Sequence, residues 1–367
     1  MRVLVCPDKF RGTLTARQAA EAIERGWLRE RPDDVIDLVP LADGGEGTLD
    51  VLAPTDAADA RRLRHTVAGP LGDRVEAEFG VRRDVGIVEM ARASGLELVS
   101  ARRRDPMHAT TRGTGELIAT AIESGARRLL VCLGGSATND AGVGMASALG
   151  GRFLDGAGDQ LDDGAAALVN LDRIDVRAPL ELVRDLDVIG VTDVDNPLCG
   201  PAGASTVFGP QKGASPQDVV LLDRALAHVA AIAARDLGVD LSHEPGAGAA
   251  GGLGFGLLAF CGARLRRGVE VVMEAVAFDR HLAEADTVIT GEGSFDAQSL
   301  RGKVPAGVLD ASRLAAKPVL ILCGVASAEA PGATVRSLVD LVGAEEAVRD
   351  ARRSLESLAA AVASDQR

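Results

Sequence analysis

The chain has 367 residues, more than one hydrophobic core usually organises, so two domains are expected. Hydrophobic content of 47% and charged content of 25% are those of an ordinary soluble globular protein. A net charge of −13 argues against nucleic acid or an anionic membrane as the main partner, and a chain with one tryptophan and no tyrosine has no aromatic platform for bases.

Only four of the 40 Lys and Arg residues are lysine: Lys9, Lys212, Lys303 and Lys317. A chain that otherwise uses arginine keeps lysine where a compact ammonium is wanted, and Lys9, Lys212 and Lys303 stand in glycine- or proline-flanked loops. The five cysteines form no CxxC pair and lie mostly in apolar runs, as buried free thiols of a reducing compartment do. The histidines are scattered without ligand spacing. The N-terminus opens directly on strand residues without a signal-peptide pattern, so the cytoplasm is the expected location.

In chain order, residues 2–6 read as a strand running into Pro7-Asp8-Lys9-Phe10-Arg11-Gly12. Thr15 followed by Gln18 forms a capping box for a helix ending near residue 31. A second strand, 35–39, empties into Asp43-Gly44-Gly45-Glu46-Gly47-Thr48. Residues 75–81 alternate apolar and charged side chains and 85–90 follow closely, which predicts an antiparallel unit with one wet face. A helix is expected from 112 to about 124, then a strand at 129–133 that stops at Gly134-Gly135-Ser136-Ala137-Thr138-Asn139-Asp140.

A strand at 188–192 ends in Asp193-Val194-Asp195-Asn196, and the loop Phe208-Gly209-Pro210-Gln211-Lys212-Gly213 precedes a helix over 218–235. Gly246, Gly248 and Gly251 match GxGxxG, but no strand precedes them, so the dinucleotide fingerprint fails its context; close helix packing or a second anion cradle remain open. The uncharged stretch 245–263 is too glycine-rich to read as a membrane span. Strands follow at 287–290, entering Gly291-Glu292-Gly293-Ser294-Phe295-Asp296, at 319–322 and around 338–342, with Lys303 opening the helix between the first two and an amphipathic helix from Glu345. The terminal βα units are each too small to bury a sheet alone. The expected fold is therefore two α/β domains: a discontinuous, doubly wound Rossmann-like parallel sheet from 1–70 plus 281–367, and an inserted mixed α/β domain at 71–280, with the active-site cleft between them.

Four acidic or glycine-rich loops thus end strands, at 43–48, 134–140, 193–196 and 291–296. Carboxylates beside flexible backbone suit Mg²⁺ held by one or two side chains and phosphate oxygens. Phosphoryl transfer needs a phosphate cradle, a metal, a cation and a proton acceptor, and each has candidates here. Asp193, Glu292 and Asp140 are the candidate metal ligands, and Asp193, Lys303, Asp43 and Glu292 the candidate catalytic groups. Gly134, Gly135, Ser136, Thr138, Asn139, Gly291, Gly293 and Lys212 are expected at ATP, and Asp8, Lys9, Arg11, Gly44 and Gly45 at the substrate. No Walker A pattern and no GxSxG elbow occurs. For each carboxylate, a turn or helix cap is the competing role.

These motifs, with Thr111-Arg112-Gly113-Thr114-Gly115-Glu116, Asn196-Pro197-Leu198 and Gly302-Lys303-Val304-Pro305, fall in order along nearly the whole chain, which resembles the type-1 glycerate kinases. The resemblance implies a flavodoxin-like domain with an inserted α/β domain, and ATP-dependent phosphorylation of D-glycerate, commonly at the 2-hydroxyl. The chain departs from the common family pattern at Lys9 (serine there) and Arg11 (lysine), at Ala141 and Asp195, and at Ser294-Phe295, where Arg-Ile is frequent. The expected partners are glycerate and ATP, without nucleic acid or membrane, in a monomer or homodimer. The rival expectations are an ATP-dependent kinase of another small hydroxy acid or polyol, and a nucleotide-sensing module without turnover.

Overall fold

The computed structural model describes residues 1–300 and 302–366 and divides into two compact units. The first comprises residues 1–52 and 267–367, the second residues 53–266. The joints fall at 52/53 and 266/267, where the sequence placed them at 70/71 and 280/281. The physical reason at the first joint is a strand that composition alone did not reveal. Ala60–Ala68 pairs antiparallel with Arg74–Arg82 along its full length, so residues 60–68 are tied to the second unit's sheet.

The first unit is built on a five-stranded, all-parallel sheet ordered 333–337, 319–323, 287–290, 2–5, 35–38. Its inner strands Arg2–Val5, Thr287–Thr290 and Val319–Cys323 are almost wholly buried, as expected where helices cover both faces of a parallel sheet. Numbered within this unit, the strand order is 2-1-3-4-5, the flavodoxin-like winding. Thr15 caps the helix Ala16–Glu30 through the complete capping box with Gln18. That helix lies along Ala351–Asp365 so closely that a Cβ on Gly26 would sit 2.1 Å from the Glu356 carbonyl oxygen, and Arg25 pairs with Glu356 at 2.7 Å. Trp27, Ile23, Val5, Ile289, Leu322 and Leu355 form the centre of this core.

Residues 338–342, expected as a strand, form the helix Leu338–Val342 instead. Ser337 accepts a hydrogen bond from the Asp340 N–H and nucleates the helix, while the preceding Ala333–Ser337 supplies the edge strand. The apolar run was legible; the cap that turned it helical outweighed it.

The second unit carries a six-stranded sheet. Arg264–Arg266, Asp187–Val191, Arg128–Cys132 and Val85–Glu89 are parallel, and Arg74–Arg82 and Ala60–Ala68 extend it antiparallel. Helices Arg112–Glu123 and Pro216–Leu237 and the glycine-rich Ala249–Cys261 enclose the cores around Leu129, Val131 and Leu253 and around Phe153, Phe255 and Phe260. Phe260 meets both other rings edge-on, with centroids 5.1 and 5.7 Å away. Among the described residues no helix is long and apolar enough to cross a membrane.

Candidate active site

In the first unit, strands 2–5 and 287–290 are neighbours in the sheet though far apart in sequence. Crossover connections leave in opposite directions on either side of that pair, so their carboxyl ends open the crevice where doubly wound sheets bind ligands. The loops that leave these two ends are bound to each other. The Asp8 N–H donates to the Gly291 carbonyl oxygen at 2.9 Å, and Thr290 Oγ1 donates to the Cys6 carbonyl at 3.0 Å. A Cβ on Gly293 would lie 3.1 Å from the Arg11 nitrogen, and one on Gly291 only 1.8 Å from the Leu322 carbonyl oxygen. Gly291, expected to cradle phosphate, is thus already required for backbone packing, and Gly293 lies close against the Arg11 backbone.

Charge gathers at this edge. Asp8 is 5% exposed, and its Oδ1 accepts the Lys9 N–H at 2.6 Å. Burial first, and then the neighbouring charge of Asp43, push the Asp8 carboxyl up to about 7 against the pull of Lys9. Glu292 is also buried, and burial raises its carboxyl although the Ser299 hydroxyl and Lys303 act the other way. Lys303 Nζ stands 3.7 Å from Glu292 Oε2, while Glu292 Oε1 is buried with no hydrogen-bond partner among the described residues. The charge of Asp43 acts on both acids. Asp43 Oδ1 accepts the Gly45 N–H at 3.1 Å, and Gly44, at φ +83°, turns the loop in the left-handed region.

The Lys9 ammonium donates to the Glu46 carbonyl at 2.6 Å, so it braces the 43–48 loop. Arg11 is exposed. Three carboxylates therefore meet the two ammonium groups of Lys9 and Lys303 at one sheet edge, an arrangement suited to a cation-escorted phosphate and a proton transfer.

In the second unit, loop 134–140 is held from three sides. The Asp140 carboxylate is wholly buried and accepts four hydrogen bonds, from Thr111 N–H and Oγ1 at 2.8 Å each and from the Gly142 and Gly144 N–H groups at 3.2 Å. Its oxygens pin the loop to the helix Arg112–Glu123, so the expected metal ligand is a backbone anchor instead. Burial raises its pKa despite those donors. On another side, the Ala137 N–H donates to Ser94 O at 3.0 Å, and Leu96 N–H to Gly135 O at 2.8 Å. Gly135 reaches the surface at φ +77°, and Gly134 is half-buried beside it.

Gly251, the last glycine of the failed GxGxxG, covers the third side with its neighbours. Ala250, Gly251 and Gly252 take three successive left-handed conformations, which bend Ala249–Cys261 and lay its backbone on the loop. A Cβ on Gly251 would come 1.9 Å from the Thr138 carbonyl oxygen. Close packing, one of the two readings left open, accounts for these residues. The half-buried Asp193 follows the neighbouring strand Asp187–Val191, which pairs in register with Arg128–Cys132.

Lys212, expected beside ATP, is 2% exposed and donates to the Thr138 carbonyl at 2.7 Å. Burial pulls its ammonium down to about 7, with the Asp140 charge opposing. Asn139 is wholly buried, donates from Nδ2 to Ser205 Oγ at 3.0 Å and leaves Oδ1 without a hydrogen-bond partner among the described residues. Ser136 and Thr138 are buried too. Sequence reasoning missed Ser94, Thr111 and Ser205 as supports of this loop; Thr111 alone carried a signal, standing at the head of the glycine-containing helix start. Among the described residues no three His, Cys, Asp or Glu side chains group as a metal cage.

Comparison with known proteins adds a further observation. The model of the glycerate kinase family matches residues 3–366. The chain is 47% identical over 326 residues to a glycerate kinase of Bacillus subtilis (strain 168), covering 88% of this chain and 85% of that one. It is 45% identical over 328 residues to glycerate 2-kinase of Escherichia coli (strain K12), with the same shares covered. A crystal structure from Salmonella typhimurium LT2, provisionally named glycerate kinase 2, superposes at a TM-score of 0.87 and 41% identity over 100% of this chain and 98% of that chain.

Proposed function

Because the chain belongs to the glycerate kinase family, we propose that it transfers the γ-phosphoryl group of ATP to the 2-hydroxyl of glycerate, giving 2-phosphoglycerate and ADP. The observation that carries the chemistry is the meeting of Asp8, Asp43, Glu292 and Lys303 at the switch point of the first unit's sheet. As the new O–P bond forms and the bond to the ADP oxygen breaks, the hydroxyl proton needs an acceptor. Asp8, buried among like charges and held near pH 7, is the carboxylate best matched to that task. Lys303 offsets negative charge on the transferring group, and the exposed Arg11 is the group we assign to the glycerate carboxylate.

The all-oxygen donor chemistry and the buried Glu292 Oε1, which has no partner among the described residues, fit Mg²⁺. Glu292 is the side chain of the first unit that would hold it. When bound, Mg²⁺ neutralises phosphate charge. In the second unit, the rigid loop 134–139 presents its backbone to the nucleotide phosphates, with Gly134 and Gly135 at its accessible tip. The soluble substrates and the five free cysteines suit a reducing cytoplasm.

An ADP-release assay over both glycerate enantiomers, lactate, tartronate and glycerol tests the assignment. Turnover confined to D-glycerate, with phosphorus NMR showing the 2-phosphate, is the expected result. Preference for another hydroxy acid or a polyol would replace the substrate, and a 3-phosphate product would replace the regiochemistry.

A further inference from the structure

Lys212 stands in a glycine-flanked loop with its ammonium sealed from solvent, at 2% exposure. It stands in the short turn Pro210–Lys212, whose backbone is closed by the Lys212 N–H donating to Gly209 O at 3.0 Å. Gly213 continues it at φ +100°, and Arg104 Nη1 donates to Gln211 O at 3.1 Å, so the turn is fixed from outside as well. From this turn Nζ reaches Thr138 O, and from the adjoining helix Ala204–Phe208, Ser205 Oγ meets Asn139 Nδ2. Segment 204–212 therefore grips two successive residues of loop 134–140 from its buried side. A phosphate oxygen at Nζ would have to enter a closed interior and compete with a carbonyl already at 2.7 Å.

We propose that Lys212 is a positioning residue: it fixes the Thr138 peptide from behind, and so sets the direction of the loop's backbone N–H groups toward the nucleotide phosphates. The Lys212 amine keeps N–H donors whether or not it carries the extra proton, so the bond to the Thr138 carbonyl persists on either side of pH 7. The compact head on a flexible stem also suits lysine, in a chain that otherwise prefers arginine, at a carbonyl on which the Gly251 backbone is already packed. Preorganised donors need no rearrangement when charge develops, so the cost of losing the clamp falls on nucleotide binding.

The inference rests on the nucleotide role of loop 134–139 given above, and the test separates the two. Lys212→Met keeps the stem and removes the ammonium. It is expected to raise KM for ATP at least tenfold, leave KM for D-glycerate within twofold, and keep the wild-type melting midpoint or raise it. Calorimetric titration with Mg·ATP should show the same tenfold loss of affinity, which reads the clamp whatever hydroxy acid the enzyme turns over. Wild-type affinity for ATP together with an unchanged KM for glycerate in a folded Lys212→Met overturns the proposal. A raised KM for glycerate with unchanged ATP affinity keeps the clamp and overturns the loop's assignment to nucleotide. Should Lys212→Met not fold, Ser205→Ala decides: a severalfold weaker ATP affinity supports the clamp, and an unchanged one overturns it.

Discussion

Asp8 and Lys212 are both buried ionisable groups, and each is held near pH 7 chiefly by loss of water. Their consequences for stability have opposite signs. Asp8 is raised above its unfolded value, so between about pH 4 and 7 the folded state binds the extra proton and stability falls as pH rises. Asp8→Asn should therefore melt higher than wild type at pH 8 in metal-free buffer, while kcat/KM for glycerate drops about 100-fold or more. A variant within twofold of wild type would remove Asp8 from the base role. Lys212 is lowered, so between about pH 7 and 10 the unfolded state binds the extra proton and stability rises with pH. Urea midpoints taken across that window should climb in wild type and climb less in Lys212→Met.

At the scale of elements, the decisive residues are those that let two backbones touch. Gly251 sits at φ +69° with no room for a Cβ beside Thr138 O. Gly251→Ala combines left-handed strain of about 1–3 kcal/mol with a displaced carbonyl. Chemical denaturation should show the loss, and ATP affinity should fall with it, because the Lys212 acceptor is what moves. The same element shows why a motif needs its context. GxGxxG is present in letters, yet the glycines serve a bend in a helix start that packs on another loop. Likewise 338–342 has strand-like composition, but the Ser337–Asp340 cap is a local hydrogen bond that makes a helix. Capping signals were reliable where complete, as in Thr15 with Gln18.

For the molecule as a whole, binding energy and folding are linked. Mg·ATP at 100 times its dissociation constant should stabilise the protein by about 2.7 kcal/mol, measured as a shifted unfolding midpoint. In Glu292→Gln the part of that shift that depends on Mg²⁺ over ATP alone is expected to shrink. An unchanged Mg²⁺ dependence would take the metal role away from Glu292.

Much of the architecture was readable from sequence because its signals are short-range. Continuous apolar runs gave the inner parallel strands, alternation gave the half-wet strand 74–82, and glycine-rich acidic loops marked the strand ends, whereas 85–89, expected in the same wet-faced unit, is buried because it also pairs in parallel with 128–132. The motif order along the chain gave the family. What the letters could not contain is which loops face each other and which polar atoms are already used. Asp140 and Asp8 are both aspartates in strand-end loops, yet one spends its oxygens on four backbone and hydroxyl donors while the other is crowded by Asp43 and Glu292. Lys212 and Lys303 both stand beside glycine, yet one is sealed behind a loop and the other stands by Glu292. Those distinctions depend on burial and on charges brought together from residues up to 284 apart, and only the tertiary structure sets either.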